Sequence, residues 1–163
     1  MAAEISKEDQ ALIGEAAELA RDSLALRAPV YDREGTHPKE SWHDLWEHGL
    51  LAMGVPKEYG GLDVTPLTYV HILEELAKAC SNTAMTLHMH TMVSRMIGAL
   101  GNSRQKERYF TEITRDKKMF GSWGSEPGSS FLGGSFETTL EPTDGGYMVN
   151  GSKHKLIKKR QSL

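Results

Sequence analysis

The sequence predicts an α+β protein that is mainly α: an antiparallel N-terminal helical bundle followed by an incomplete β domain. Before residue 117, apolar residues recur at spacings of three and four between recognisable helix caps. After it, eight of the 16 glycines lie between Gly121 and Gly151, and apolar residues alternate with polar ones. We therefore expect a helical domain over residues 1–117 and the beginning of a β domain over residues 118–163.

The first two helices are indicated by their capping residues. Ser6 is a suitable N-cap because its hydroxyl can accept a hydrogen bond from an amide of the first turn. Apolar residues follow at helical spacing, and Pro29 is expected to end this helix. Pro38 fits the first turn of a second helix, and Gly49 can adopt the left-handed conformation that ends one.

Three further helices follow an irregular connection over residues 50–64. The pair Thr65-Pro66 predicts a helix that runs to about Ala79. Ser81 is the expected cap of a helix to Leu100, and Ser103 is the expected cap of the last one. The apolar stripe expected on the first of these consists of Val70, Leu73, Leu76 and Ala77. Five helices with short connections predict an antiparallel bundle.

Three short strands are expected next, over residues 119–123, 136–140 and 147–149. Asn150-Gly151 is typical of a two-residue hairpin, so a returning strand is expected over residues 152–157. So small a sheet with no covering layer is marginal. The β domain therefore looks incomplete.

Charge and cysteine content exclude several classes of protein. The formal net charge is −3, with five basic and no acidic residues in 152–163, so the rest of the chain sums to −8. Because no basic surface dominates the sequence, we do not expect a nucleic-acid partner. Residues 84–100 include His88 and Arg95, which argues against a membrane span. A single cysteine, Cys80, and an N-terminus unlike a signal peptide predict a cytoplasmic protein.

Histidines and methionines offer weak candidates for function. His88 and His90 are two residues apart on a helix and point to different faces, so we expect no metal site. Cys80 has no evident base nearby and is interpreted as a packing thiol. One helical stripe contains Met85, Met89, Met92 and Met96. It predicts core packing or a subunit face, and the less favoured alternative is an adaptable ligand-pocket wall.

The glycine-rich stretch over residues 121–130 is more informative. It lacks the spacing of a phosphate-binding or dinucleotide-binding loop. It offers exposed backbone N–H groups, two small hydroxyls and an indole, a set that can bind a planar heterocycle. The alternative is a turn without function.

Four motifs in register resemble the acyl-CoA dehydrogenase family from about residue 6 to residue 154. The Pro-x-x-Tyr-Gly-Gly loop matches residues 56–61, and the Leu-Glu-Glu-Leu-Ala helix signature matches residues 73–77. The Thr-Glu-Pro-Gly flavin loop is similar to residues 125–128, with Ser125 in the threonine position. The Gly-Tyr-x-Leu-Asn-Gly-x-Lys hairpin is similar to residues 146–153.

The resemblance implies FAD as cofactor and α,β-dehydrogenation of acyl-CoA thioesters as reaction. Implied cofactor-binding residues are Ser122, Trp123, Gly124 and Ser125. Ser125 would bind the flavin ring through its hydroxyl and N–H. Ser130 is the implied contact near the thioester of the substrate.

The sequence also departs from the family. Residues 155–157 replace an aromatic residue and a hydroxyl that contact flavin in the family, and residues 158–163 resemble nothing in it. The C-terminal helical bundle is lacking, with the catalytic carboxylate and the core of the family's homo-oligomer. Glu74, Glu75 and Glu126 are not in the position of that base. We therefore expect a fragment that is inactive alone, with no catalytic residue of its own.

Two alternatives remain open. Trp123 and the serine at position 125 also suit a fragment of a flavin-dependent monooxygenase of the same fold. Residues 1–117 could instead act as a helical interaction module without catalytic role, in which case partner capture would survive deletion of residues 118–163.

Overall fold

A computed structural model of the chain describes residues 5–126 and 136–153. The chain divides into two compact units, Met1–Phe120 and Gly121–Leu163. In the first unit, the α-helices are α1 Lys7–Leu19, α2 Ala25–Glu34, α3 Lys39–Glu47, α4 Pro66–Ala79, α5 Ser81–Leu100 and α6 Ser103–Thr114. A π turn, Ala20–Leu24, joins α1 to α2, and 3-10 turns occupy Leu50–Ala52 and Lys57–Tyr59. None of the described helices is long and apolar enough to cross a membrane.

The first predicted helix is longer than expected. Its cap is confirmed, because the Ser6 hydroxyl accepts the Asp9 N–H at 3.0 Å. Pro29 does not end it: the helix continues to Glu34 and stops at Gly35, whose φ is 60°. A proline ring crowds the carbonyl four residues earlier. That carbonyl belongs to Ala25, at the junction of the π turn and α2. The π turn is wider than an α-helical turn, and this explains why the helix continues past the Pro29 ring.

The caps of α5 and α6 differ from the predicted ones by one residue, whereas the cap of α4 does not. Thr65 caps α4 as expected. The N-cap of α5 is Cys80, and that of α6 is Asn102. Asn102 is favoured because its side chain and that of Gln105 each accept the other's backbone N–H at 2.9 Å, which satisfies two end amides at once.

Packing in the first unit joins α1 to α4, α4 to α5, and α5 to α6. Fully buried residues of the main core include Leu24, Leu45, Leu50, Met53, Ile72, Leu76 and Leu87. A smaller core contains Val55, Phe110 and Ile113. The predicted stripe of α4 is partly wrong, because Val70 is 57% exposed and the buried side consists of Thr68, Ile72 and Leu76.

Two adjacent glycines shape the connection between α3 and α4. Gly60 has a φ of 81°, which glycine adopts without steric cost, and it ends the second 3-10 turn. Gly61 lies so close to Val55 that a Cβ would be 2.0 Å from the Val55 carbonyl oxygen. The Tyr-Gly-Gly motif is thus a packing requirement of the helical unit.

Gly61→Ala is expected to destabilise the helical unit by about 1–3 kcal/mol, because the added methyl must displace the Val55 backbone. Urea unfolding monitored by circular dichroism measures this. Gly14→Ala is the matched control, since nothing lies within 4 Å of its Cβ position in α1 and alanine favours the helix by about 0.5–1 kcal/mol. Equal stability of the two variants would contradict the packing argument.

The described strands of the second unit form one antiparallel hairpin. Strand β1, Thr139–Thr143, pairs with β2, Gly146–Asn150, and every residue of both strands is exposed. Residues 119–123, predicted as a strand, have no regular secondary structure, since no described strand pairs with them to form a ladder. Ser152 and Lys153 are not in a strand, and the rest of the predicted returning strand lies outside the described residues.

A buried histidine holds the end of the helical unit. The Nε2–H of His90 donates to the Leu51 carbonyl at 2.8 Å, and its Nδ1 accepts the Phe120 N–H at 3.0 Å. The imidazole also stacks on the Phe120 ring, with centroids 6.0 Å apart. Both ring nitrogens are therefore satisfied only when the imidazole is neutral.

We expect the stability of the helical unit to fall in mild acid because of His90. Burial lowers the pKa of His90 below its ordinary value of 6.5, opposed in part by the bond to Leu51. The unfolded chain therefore takes up this proton at a higher pH than the folded chain. The contribution of His90 to stability is complete above about pH 6.5 and declines as the pH falls below it.

Denaturant unfolding between pH 5 and pH 7.5 tests this. His90→Asn keeps an acceptor for Phe120, cannot titrate, and should flatten the slope, while its lost bond to Leu51 costs about 1–3 kcal/mol. His43→Asn, the same change at an exposed position of α3, should leave the slope in place. An identical slope in both variants would show that His90 is not responsible.

Candidate functional site

The 122–125 segment (Ser122, Trp123, Gly124 and Ser125) follows the helical unit in sequence and has no regular secondary structure. Ser122 is half-buried, whereas the other three residues are exposed. Trp123 is 57% exposed, a large fraction for an indole. Nothing within 4 Å surrounds the Cβ position of Gly124, so the backbone there is open to close approach.

The donors of this segment suit a planar, acceptor-rich ligand. Within residues 5–126 and 136–153, no hydrogen bond engages the side chains or backbone of the 122–125 segment. Two hydroxyls, several backbone N–H groups and one indole are thus available along a short stretch. The pyrimidine edge of a flavin presents carbonyl oxygens and ring nitrogens, so this donor set fits FAD chemically.

The next residue, Glu126, is held by donors from two places later in the chain. Its Oε2 accepts the Glu137 N–H at 2.5 Å, and both carboxylate oxygens accept the Thr138 N–H at 3.2–3.3 Å. The Lys153 ammonium forms an ion pair with Oε1. The Glu126 side chain is 1% exposed and that of Lys153 is 23% exposed. We call these four residues the Glu126 anchor.

The charge of Glu126 is stabilised by this arrangement. The bond from Lys153 is the largest cause, followed by donors of Thr138 and Glu137, and together they lower the pKa of Glu126 from 4.5 to about 2. Lys153 also lies over the Phe136 ring, with Nζ 4.5 Å from the centroid. Donors to a carboxylate stabilise its ionised form, so Glu126 is charged throughout the neutral pH range.

Gly151 makes the anchor compact. It has a φ of 151°, and a Cβ there would lie 2.4 Å from Oγ1 of Thr138. The glycine of the Asn-Gly pair is thus required for close approach to the anchor, a role that the hairpin interpretation did not foresee.

The methionine stripe of α5 lies on its outer side. Met85 and Met96 are each 52% exposed, while Met89 and Met92 are half-buried. The buried side consists of Thr83, Ala84, Leu87, His90, Thr91 and Ser94. Core packing is therefore the wrong interpretation within this chain, and a subunit face or ligand wall remains.

A polar contact beside this stripe escaped sequence analysis. The Tyr69 hydroxyl and Nδ1 of His88 are 2.6 Å apart, and burial raises the pKa of Tyr69. The Arg95 guanidinium lies over the Tyr69 ring and donates to the Val64 carbonyl at 2.8 Å. Helical spacing could have placed His88 and Arg95 on one side of α5, but no local signal indicates Tyr69 on α4.

The other sequence candidates are not brought together. Ser130 lies outside the described residues. Glu74 and Glu75 are on the surface of α4, paired with Lys78. The described residues include no group of three side chains that could hold a metal ion. Cys80 is half-buried and accepts the Thr83 hydroxyl at 3.1 Å.

Comparison with known proteins identifies the family. The sequence profile described as "Acyl-CoA dehydrogenase, N-terminal domain" matches residues 6–117. The chain belongs to the acyl-CoA dehydrogenase family. An acryloyl-CoA reductase (NADH) of Anaerotignum propionicum is 30% identical over 151 residues, which cover 91% of this chain and 38% of the relative. A dibenzothiophene monooxygenase of Rhodococcus qingshengii is 34% identical over 124 residues, 76% of this chain and 29% of the relative.

The solved structure of butyryl-CoA dehydrogenase from Megasphaera elsdenii has the same fold. It superposes with a TM-score of 0.84 at 25% identity, covering 96% of this chain and 42% of that structure. This confirms the mainly helical architecture with a small β portion. The chain thus spans well under half the length of the family members that it matches.

Proposed function

We propose that this chain supplies the N-terminal helical domain and the opening of the middle β domain of an FAD-dependent oxidoreductase acting on acyl-CoA thioesters. Residues 1–117 form the first part and residues 118–163 begin the second. The observation that carries the proposal is the 122–125 segment. Its donors make no hydrogen bond to described residues, its indole is exposed, and its sequence resembles the start of the family's flavin loop. Similarity to acyl-CoA enzymes over 91% of the chain supports it.

Each residue of the 122–125 segment would make a different contact with the flavin. The hydroxyl and N–H of Ser125 would donate to the flavin ring, while the Trp123 indole packs against a face of it. Ser122 and Gly124 would add backbone contacts. The chemistry that FAD supplies in this family is acceptance of a hydride from the β-carbon of the acyl group. Donors near the acceptor edge of the ring stabilise the negative charge that reduction places there.

Removal of the α-proton needs a carboxylate that none of the described residues provides. Glu126 is a poor base, because its pKa of about 2 makes protonation unfavourable at neutral pH. Glu74 is exposed and within 3.5 Å of Lys78, on a helix surface. We therefore propose that the 163 residues alone do not turn over substrate.

The proposal for substrate binding rests on two features of the chain. Ser130 follows the flavin loop in sequence and is proposed to bind near the thioester. The outer side of α5, with its methionine stripe, suits an acyl chain because thioethers adapt to irregular apolar shapes, and it equally suits a subunit face of a homo-oligomer. The free thiol of Cys80 supports a reducing compartment such as the cytoplasm.

Weak cofactor binding by the isolated chain is the first expectation. The purified 163-residue protein should be colourless, because the family resemblance implies that most of the flavin-binding surface comes from the C-terminal bundle, which these residues do not include. The absorbance spectrum between 350 and 500 nm measures bound flavin after gel filtration with added FAD. A yellow protein that retains near-stoichiometric FAD would refute this expectation.

Ser125 should control the residual affinity. Ser125→Ala removes one hydrogen bond and should weaken FAD binding about 3- to 10-fold, whereas Ser125→Thr, the family's residue, should retain it. Titration with FAD, followed by amide chemical shifts, measures millimolar affinities. Ser152→Ala, at an exposed serine outside the segment, is the control. Equal affinities of Ser125→Ala and the control would exclude Ser125 from the site.

A monooxygenase of the same fold is the second candidate. It is favoured by the 34% identity to dibenzothiophene monooxygenase and by the exposed Trp123 indole, which suits an aromatic ligand. The dehydrogenase and the monooxygenase can be distinguished by measurements on the intact protein that contains these residues. Oxygen consumption in the presence of reduced flavin indicates the monooxygenase, whereas bleaching of oxidised flavin by an acyl-CoA indicates the dehydrogenase.

A further inference from the structure

We propose that Glu126 is the positioning residue of the cofactor segment: through Glu137, Thr138 and Lys153 it fixes the backbone of Ser125 onto the β1–β2 hairpin. This inference rests on the proposed function of the 122–125 segment as a flavin site. It adds a residue that would not itself touch the cofactor. Its role is to remove the conformational freedom of the residue before it.

The geometry of the anchor supports this role. The backbone donors come from consecutive residues at the entry to β1, 11 and 12 positions later, and the ammonium comes from a residue 27 positions later, just beyond β2. One carboxylate therefore joins three parts of the second unit. A side chain that is 1% exposed and bound at both oxygens cannot change rotamer without breaking an ion pair and hydrogen bonds from two amides.

The hairpin has little else to hold it among the described residues. Every residue of β1 and β2 is exposed, including Leu140, Tyr147 and Val149, so the two strands bury no apolar face of their own. An isolated two-stranded hairpin is marginal in water. The polar contacts of Glu126 therefore replace an apolar core at the base of the hairpin, with Gly151 packed against Thr138.

The backbone of Ser125 is restricted by the anchored residue that follows it. Ser125 is covalently joined to Glu126, is exposed, and makes no hydrogen bond to another described residue. Anchorage of the next residue restricts its φ and ψ while leaving its hydroxyl and N–H free for a ligand. Preorganised donors cost less entropy on binding than mobile ones, so loss of the anchor should appear as lost affinity.

Three variants of the full chain test the proposal. Glu126→Gln keeps the shape and removes the charge, Lys153→Met removes only the cation, and Glu141→Gln removes an exposed carboxylate from β1 as matched control. Amide hydrogen exchange of Glu137 and Thr138, the resonances of the 122–125 segment, and titration with FAD are measured by NMR for each variant.

Glu126→Gln is expected to speed exchange at Glu137 and Thr138 by about tenfold or more, and to weaken FAD binding by a similar factor. Glu141→Gln should stay within about twofold of the unmodified chain. Lys153→Met should raise the Glu126 pKa from about 2, a change that lost packing alone would not cause. If Glu126→Gln unfolds the hairpin, the Glu126 pKa in Lys153→Met becomes the deciding measurement.

Unchanged exchange at Glu137 and Thr138 in Glu126→Gln would overturn the proposal. So would faster exchange with unaltered FAD affinity, because the anchor would then be structural only. If the unmodified chain shows no FAD binding, the proposed flavin site fails. The positioning role is then supported if the resonances of the 122–125 segment shift in Glu126→Gln but not in Glu141→Gln. It is refuted if these resonances are the same in the two variants.

Discussion

A carboxylate that is almost fully buried must be surrounded by donors, because an unpaired charge in a dry environment is far more costly than the donors are to arrange. Glu126 meets this requirement with two consecutive amides and one ammonium. The second unit has few other restraints among its described residues, since both strands of its hairpin are exposed. Its arrangement therefore depends on charge pairing in the way that the helical unit depends on apolar burial.

The same requirement acts at the end of the helical unit. His90 is fully buried, and it is neutral because its two nitrogens need one acceptor and one donor, the Leu51 carbonyl and the Phe120 N–H. Phe120 is thus held by a buried imidazole, and Glu126 by the donors to its own buried carboxylate. The two residues are six positions apart along the chain. The proposed cofactor segment lies between these two residues in the sequence.

Local signals in the sequence were sufficient for most of the helical unit and insufficient for the rest. Caps and apolar spacing are properties of neighbouring residues, so five helical stretches were predictable, with the continuation past Pro29 as the main error. Strand pairing is not local, and residues 119–123 were wrongly expected to form a strand. Glu126 and Lys153 were both visible as motif residues, but their contact joins positions 27 apart. The role of the 122–125 segment stays a prediction.

The motifs that place this chain in its family are mostly structural. Gly61 is required by the Val55 backbone, and Glu126 is paired with Lys153, so neither residue indicates which reaction the fold supports. The chain is similar both to an acyl-CoA reductase and to a monooxygenase, at 30% and 34% identity. Specificity has to come from side chains that remain available to a ligand. Trp123 is the most distinctive of these, because an exposed indole costs solvation unless something covers it.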